Sequence, residues 1–289
     1  MMNALTVDVE DYYHVSAFER YVSRDQWDSY PSRVVANTRR LLELFARHSV
    51  RATFFVLGWV GHRFPSLVKE IADAGHEVGC HSYWHRLIYE QTPANFVEDL
   101  KQGRDVLQDA IGKSVTAYRA PSWSITERSQ WALDILAEEG FSHDSSIFPI
   151  HHDRYGIPNA NPFPYKIELG GGRLWEFPPS VIRVAGFNIP VSGGGYFRLY
   201  PARWTASGLS RVNRQSAQPF LFYIHPWEID PDQPRIPANW STRWRHSLNL
   251  ASTERKLDWL LSQFHFGPMT EVIEQHEGRT TTASTPTLP

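Results

Sequence analysis

The feature that most constrains the fold of this chain is a repeated alternation of short strand-like runs with helical segments. Leu5, Val7 and Val9 alternate with polar or acidic residues, which is typical of a half-buried strand. Residues 52–57 and 77–80 are short apolar runs, and segments with helical spacing stand before and after them. Strands that alternate with helices through short connections favour parallel βαβ units over a β-sandwich.

The same pattern continues over most of the chain. Further strands are predicted near residues 115–118, 174–177 and 220–224, and helices near 34–45, 66–74, 96–111, 126–139, 202–217 and 254–264. We find no sequence repeat, and we predict one domain over residues 1–274 that includes a C-terminal extension from about residue 229. Residues 275–289 are predicted to form a disordered tail.

Composition excludes several classes of protein. The 289 residues are 42% hydrophobic, enough for one large domain with a sizeable core. A formal net charge of -2 without a long basic run argues against nucleic-acid binding by phosphate neutralisation. No apolar run is long enough to span a bilayer, and the chain enters a strand pattern by Ala4, so we expect a cytoplasmic protein. Cys80 is the only cysteine, which rules out an intrachain disulfide, and a homo-oligomer stays open.

Two histidines, His81 and His85, stand four residues apart directly after an apolar run. On a helical turn these positions share one face, so both imidazoles could bind one metal ion. Spacing alone does not prove a site, because such pairs also occur in helix-surface networks. However, functional groups collect at the carboxyl ends of parallel strands, and four more polar groups follow predicted strands: Asp8/Glu10/Asp11, Arg119, Asp144 and His225.

Two histidines and a carboxylate form a ligand set of catalytic zinc, although other divalent ions stay open. A zinc protease of the His-Glu-x-x-His type is disfavoured because Ser82 follows His81. Two-His-one-carboxylate iron oxygenases share the ligands, but their usual His-x-carboxylate spacing is absent here. The acidic cluster at residues 8–11 supplies both a ligand and a base, which favours metal-assisted hydrolysis.

Four motifs together resemble those of the polysaccharide deacetylases with a NodB-type domain, carbohydrate esterase family four. The resemblance covers roughly residues 4–228, and its motifs, in order, are Thr6-Val-Asp-Val-Glu-Asp11, His81-Ser-Tyr-Trp-His85, Arg119-Ala-Pro121 and Ile224-His225. The opening motif and the segments 245–250 and 266–269 resemble the subgroup linked to bacterial exopolysaccharide export loci.

This resemblance implies a distorted (β/α) barrel of about seven strands and one divalent metal ion, with zinc favoured. It assigns Asp8 as the general base that deprotonates the attacking water, and His81 and His85 as metal ligands. Arg119 would hold Asp8, and His225 would be the general acid that protonates the leaving amine.

The third metal ligand is open between Glu10 and Asp11. The family usually has a second Asp directly after the first, where this chain has Val9. A variant Asp-x-Asp pattern places Glu10 on the ligand position, and Asp8 and Glu10 share a face of a strand, so we favour Glu10.

Five residues are predicted to contact substrate. A backbone N–H near Tyr83 or Trp84 could stabilise the developing oxyanion, and Pro121, Trp123 and Trp227 would contact the sugar, the tryptophans by stacking. The resulting hypothesis is an N-deacetylase, a hydrolase of a carbon–nitrogen bond other than a peptide bond, acting on an N-acetylhexosamine in a bacterial exopolysaccharide or its lipid-linked precursor.

Two other functions stay open. The protein could hydrolyse a small linear or cyclic amide, as the allantoinase-like branch does. It could also be a carbohydrate-binding domain that kept the fold and lost the chemistry, which the retention of all the predicted catalytic residues disfavours.

Overall fold

A largely parallel β-sheet forms the centre of the protein. The computed structural model describes residues 1–152 and 154–283. Strands β1 to β11 within this part of the chain are Met2–Val9, Thr53–Val56, Glu77–Cys80, Ala117–Tyr118, His143–Asp144, Tyr165–Leu169, Gly172–Glu176, Val181–Val184, Phe187–Pro190, Leu221–Ile224 and His265–Gly267. Strands β8 and β9 pair only with each other among the described residues and form a separate antiparallel hairpin.

The order of strands in the main sheet is β10-β1-β2-β3-β4-β5-β7-β6, and β11 also pairs with β1. All neighbours are parallel except β6 and β7. The parallel strands from β10 to β7 confirm the predicted α/β class. Within the described residues, no hydrogen-bonded pairing joins the two ends of this ladder into a closed ring. Strands β2 and β10 are buried at every residue, as expected for parallel strands covered on both faces.

Helices cover the sheet and supply most of its connections. Helices α1 to α10 are Val34–Arg47, Gly58–Arg63, Pro65–Asp73, Pro93–Ile111, Trp131–Glu138, Gly194–Leu199, Ala202–Gln215, Trp240–Ser247, Leu250–Leu261 and Met269–Ala283. Short 3-10 helices lie at Ser16–Phe18, Arg24–Ser29, Ile88–Glu90, Pro121–Trp123 and Pro226–Ile229. A search of the described helices finds none with the length and apolarity needed to cross a membrane.

Helix α4 shows how local sequence sets the ends of an element. The Thr92 hydroxyl accepts a hydrogen bond from the backbone N–H of Asn95 at 3.3 Å, and Pro93 occupies the first helical position. Gly112 ends the helix in the left-handed conformation, with φ of 66°. The side chain of Asp99 in this helix is buried, and it reaches the candidate site described below.

The C-terminal region differs most from the sequence-based prediction. The helix predicted at 254–264 corresponds to α9, but α8, β11 and α10 were not predicted. Strand β11 is three residues long, which is too short for a clear pattern in the sequence. It is a strand because it pairs with Met2–Ala4, far away along the chain. The predicted tail boundary at 275 falls inside α10, and residues 284–289 lie outside the described residues.

Candidate metal centre and active site

The carboxyl ends of four parallel strands bring the predicted catalytic groups to one edge of the sheet. Asp8 lies near the end of β1 and Glu10 directly after it, and His81 follows β3. Arg119 follows β4 and His225 follows β10. Because β1 lies between β10 and β2, its two carboxylates stand between the end of β10, which precedes His225, and the end of β3, which precedes His81.

Glu10, His81 and His85 form a buried cluster whose ligand atoms all lie within 4.8 Å of one another. The Nδ1–H of His81 donates to the backbone carbonyl of Arg119 at 2.7 Å, which leaves Nε2 as the free ligand nitrogen. Glu10 Oε2 lies 2.8 Å from His85 Nε2, but it is buried and has no well-directed hydrogen bond. This donor set, with a buried carboxylate oxygen that lacks a well-directed hydrogen bond, fits a divalent cation.

The electrostatics of the cluster also favour a cation. Burial by itself raises the pKa of Glu10, but the neighbouring histidines, His85 above all, hold this pKa well below its usual range. Burial lowers the pKa of His81 to about 4, so its imidazole is neutral at pH 7. An ionised carboxylate and a neutral imidazole are the forms that bind metal ions.

The segment that joins the two histidines is a loop, which corrects the expectation of a helical turn. Ser82 and His85 have left-handed backbone conformations, with φ of 61° and 53°. The Asp99 carboxylate fixes the loop by accepting the N–H groups of Tyr83 and Trp84 at 2.9 and 3.0 Å. Both amides donate to Asp99, and the expected oxyanion contact from a backbone N–H near Tyr83 or Trp84 stays a prediction.

Asp8 is held by an extensively bonded, fully buried arginine. Arg119 Nη1 donates to Asp8 Oδ1 at 2.6 Å and to the Thr6 hydroxyl at 2.8 Å, and Nη2 donates to the Ser145 hydroxyl at 2.8 Å. The guanidinium also lies over the Phe55 ring, 4.3 Å from its centroid. These contacts fix the Asp8 carboxylate and leave Oδ2 directed toward the neighbouring histidine, His225.

His225 faces both carboxylates through one nitrogen and a third carboxylate through the other. Its Nε2 lies 3.7 Å from Asp8 Oδ2 and 3.7 Å from Glu10 Oε1, and Nδ1 lies 2.6 Å from Glu228 Oε1. Burial alone would lower the pKa of His225, but the hydrogen bond and charge of Glu228, followed by the charges of Glu10 and Asp8, raise it to about 9. The His225 side chain is 14% exposed, against 3% for Asp8 and Glu10, so solvent reaches the cluster beside this ring.

Asp11 lies apart from the metal cluster. Its carboxylate accepts the Ser32 hydroxyl at 2.6 Å and the backbone N–H groups of Arg33 and Val34, at the start of α1. A carboxylate at this position satisfies helix N–H groups and interacts favourably with the helix dipole. The structure thus separates the two candidates for the third ligand and places Glu10 beside the histidines.

Trp227 supports the cluster from behind. Its indole N–H donates to Glu10 Oε1 at 3.2 Å, and its ring is stacked between His225 and His246, with centroids 5.2 and 4.3 Å away. The side chain is buried, so the structure gives it a contact with the predicted ligand Glu10 in place of an open face for a sugar.

The other predicted substrate contacts are also largely enclosed. Tyr83, Pro121 and Trp123 are buried, whereas Trp84 is partly exposed. Trp123 packs against Tyr223, with ring centroids 4.4 Å apart. Among the five residues predicted to contact substrate, Trp84 therefore offers the most accessible ring surface.

Sequence reasoning missed several residues that hold the site. Glu228 stands three residues after His225, a spacing that could have identified it as the partner of that ring. Its other oxygen, Oε2, accepts a hydrogen bond from Arg198 Nε at 2.7 Å. Asp99 and Arg198 come from helices remote in sequence, so no local pattern marks them.

A second pair of carboxyl groups lies behind Arg119. Asp144, which was noted at a strand end, accepts the Ser146 hydroxyl at 2.5 Å and lies close to Glu176 at the end of the neighbouring strand. Burial raises the pKa of Asp144 to about 6 and that of Glu176 well above its usual value. Both groups are fully buried, so the pair holds at least one proton near neutral pH.

The part of the chain that contains His81 and His85 is similar to known proteins. Residues 26–140 match the family model described as polysaccharide deacetylase. This part of the chain is similar to the polysaccharide deacetylases. Residues 145–274 match a second family model, DUF3473, described as a domain of unknown function. The deacetylase match contains His81, His85 and Arg119, the second match contains His225 and Glu228, and β1 precedes both.

Two relatives that match part of this chain are named as deacetylases. A peptidoglycan deacetylase from Helicobacter pylori is 36% identical over 114 residues, which cover 39% of this chain and 37% of the relative. A peptidoglycan-N-acetylglucosamine deacetylase from Bacillus cereus is 31% identical over 123 residues, which cover 43% of this chain and 44% of the relative. The chain thus matches less than half the length of each of these relatives.

A solved structure supports the fold over the whole chain. A Mycobacterium smegmatis protein described as a polysaccharide deacetylase superposes with a TM-score of 0.62 at 20% identity, and the match covers 100% of this chain and 95% of that one. The likeness shows that residues 26–140 and the DUF3473 region together have the same fold as that protein.

Proposed function

We propose that this protein is a metal-dependent N-deacetylase that hydrolyses the acetamide of an N-acetylhexosamine in a bacterial polysaccharide or its precursor. The observation that carries the proposal is the assembly of Glu10, His81 and His85 into one cluster with Asp8 and His225 beside it. A metal site flanked by a carboxylate and a protonated imidazole has the groups needed for general-base and general-acid steps.

The cluster would hold one divalent ion through Glu10 Oε2, His81 Nε2 and a ring nitrogen of His85, and zinc fits this donor set. When bound, such an ion lowers the pKa of water toward neutrality and polarises the acetamide carbonyl. The remaining steps belong to side chains that the structure positions around the cluster.

Asp8 is the proposed general base. Arg119 occupies Oδ1, so Oδ2 is the oxygen that accepts a proton from the attacking water. Arg119 cannot take that proton itself, because a guanidinium stays charged in proteins. Its role is to hold the carboxylate in place from a fully buried position.

His225 is the proposed general acid. Its Nδ1 is bonded to Glu228, and its Nε2 faces the same space as Asp8 Oδ2. A pKa raised to about 9 keeps the ring protonated at neutral pH, so Nε2–H can give its proton to the nitrogen of the departing sugar amine. The carbon–nitrogen bond then breaks, and the products are acetate and the free amine.

We also propose that the glycan is an exopolysaccharide. The support is the resemblance of the opening motif and of segments 245–250 and 266–269 to the subgroup linked to exopolysaccharide loci. Both segments lie within the region 145–274, outside the part that matches the deacetylase family model.

The test is acetate release from N-acetylglucosamine oligomers and from small linear and cyclic amides, each with and without added zinc. We expect zinc-dependent release from the oligomers. Asp8→Asn should reduce turnover by about 10²- to 10⁴-fold while zinc content stays the same. Asp73→Asn is a matched control, because this surface carboxylate pairs with Lys69 at an exposed position.

Two outcomes would count against the proposal. Turnover of a small amide with no release from any oligomer would assign the protein to small-molecule hydrolysis. Full activity of Asp8→Asn would show that the base is another group.

A further inference from the structure

A groove of about 490 Å³ lies beside helix α8, outside the metal cluster. Two of its lining residues, Trp240 and Trp244, are 75% and 55% exposed. They stand four residues apart and therefore lie on one face of the helix. Helix α8 has no buried residue, so the packing of this helix does not explain why it carries two large aromatic side chains.

Polar groups line the same groove. Arg243 stands between the two tryptophans in sequence, and His246 and Gln233 lie further along the wall. His246 Nε2 and Gln233 Oε1 are 3.0 Å apart. The groove thus combines two exposed, flat apolar rings with groups that form hydrogen bonds.

The groove is connected to the candidate active site in two ways. His246, in its wall, stacks on Trp227, which stacks in turn on the proposed acid His225. In addition, the 3-10 helix Ser16–Phe18 lines the groove through Phe18 and a small crevice beside His85 through Ser16. The groove therefore lies two ring stacks from His225 and within one short 3-10 helix of the crevice beside His85.

We propose that the groove of α8 binds a further sugar unit of the glycan whose acetamide lies at the metal cluster. This inference rests on the proposed deacetylase function. A pyranose ring has an apolar C–H face that packs on an indole ring, and equatorial hydroxyls that bond to arginine, histidine and amide groups. The groove offers both kinds of contact. Because it lies close to the metal cluster, one polymer chain can reach both.

The surface is less suited to a protein or a membrane. A stable protein interface buries about 800 Å² on each partner, and two exposed rings on an eight-residue helix supply only part of that area. Tryptophan and arginine do also occur together at membrane surfaces, so vesicle binding is included as an outcome of the test.

The experiment compares the double variant Trp240→Ala/Trp244→Ala with wild type on N-acetylglucosamine oligomers of increasing length. Loss of ring stacking should raise KM for long oligomers about tenfold. The value of kcat, and kcat/KM for the shortest substrate that is turned over, should stay the same. Trp204→Ala, which removes a 38% exposed tryptophan from α7, is the matched control and should behave as wild type.

Binding is measured separately, in a form that does not depend on turnover. Retention by soluble N-acetylated glycan in affinity electrophoresis should be strong for Asp8→Asn and weak for the same protein with both tryptophans replaced. If wild type releases no acetate but retention still depends on the tryptophans, the proposed function fails and the groove inference stands.

Three outcomes would overturn the inference. These are an unchanged KM for long oligomers in the double variant, an equal loss for oligomers of every length, and tryptophan-dependent binding to phospholipid vesicles without glycan retention. Circular dichroism of each variant confirms that α8 and the rest of the fold are intact.

Discussion

Replacing Glu228 by Gln tests how the structure controls the proposed acid. Glu228 Oε1 lies 2.6 Å from His225 Nδ1, and the hydrogen bond and charge of this carboxylate are the main causes that raise the pKa of His225 from 6.5 to about 9. This difference corresponds to about 3 kcal/mol of preference for the imidazolium. In Glu228→Gln, burial should bring the pKa back to about 6.5 or below.

The direct assay is an NMR titration of His225 in protein freed of metal by a chelator. At pH 8, a ring with a pKa of about 9 is about nine-tenths protonated, whereas one with a pKa of 6.5 is about 3% protonated. The protonated fraction of His225 should therefore be about thirtyfold lower in the variant than in wild type at this pH. In the zinc-loaded enzyme, the alkaline limb of kcat should move to lower pH in the same variant.

Stability should follow the same titration. Because the folded state raises the pKa of His225, the charged ring contributes stability that is fully present below pH 6.5 and is lost as pH rises through about 9. Urea unfolding of metal-free wild type between these values should show this loss, and Glu228→Gln should show little of it.

Glu228→Gln also removes the partner of buried Arg198, so a control must separate the two effects. Arg198→Met removes the guanidinium and keeps the carboxylate beside His225. We expect it to lower the free energy of unfolding, as breaking a buried ion pair does, and to keep the high pKa of the ring. The reasoning is refuted if the titration midpoint of His225 is the same in wild type and Glu228→Gln.

Two further predictions concern other carboxylates. Glu10→Ala should weaken zinc binding by at least about 100-fold. Asp11→Ala should keep zinc and lower the free energy of unfolding by about 1 kcal/mol, because Asp11 contacts the start of α1. Isothermal titration and urea unfolding of both variants check this, and the reverse pattern would move the third ligand to Asp11. Glu176→Gln should be more stable than wild type between pH 5 and pH 8. Burial raises the pKa of Asp144 to about 6 and that of Glu176 well above its usual value, so the stability that the protonated pair gives wild type is lost as pH rises through these pKa values. The same difference in free energy of unfolding between the two proteins at every pH in this range, measured by urea unfolding, would contradict it.

The sequence alone determined the fold class and the place of the chemistry. The alternation of Leu5, Val7 and Val9, followed by the apolar runs that became β2 and β3, predicted parallel βαβ units. Parallel strands present their carboxyl ends at one edge, so Asp8, His81 and the groups that follow β4 and β10 had to lie near one another. These features depend on local periodicity and on a general rule of topology, and both can be read along the chain.

Tertiary structure decided which of these groups act together. Glu10 and Asp11 are adjacent, and only the path of the backbone after Val9 directs one to the histidines and the other to the start of α1. The loop between the histidines depends on the carboxylate of Asp99, which comes from a helix that begins after it.

The same holds for the aromatic side chains and the third carboxylate of the site. Periodicity cannot tell whether a tryptophan after a strand, such as Trp227, is covered or exposed, and α8 with its exposed Trp240 has no clear signal in the sequence. The physical reason is that burial, pKa and ligand geometry are set by contacts between residues far apart in the chain. The contact between Arg198 and Glu228, which fixes the partner of His225, is one of them.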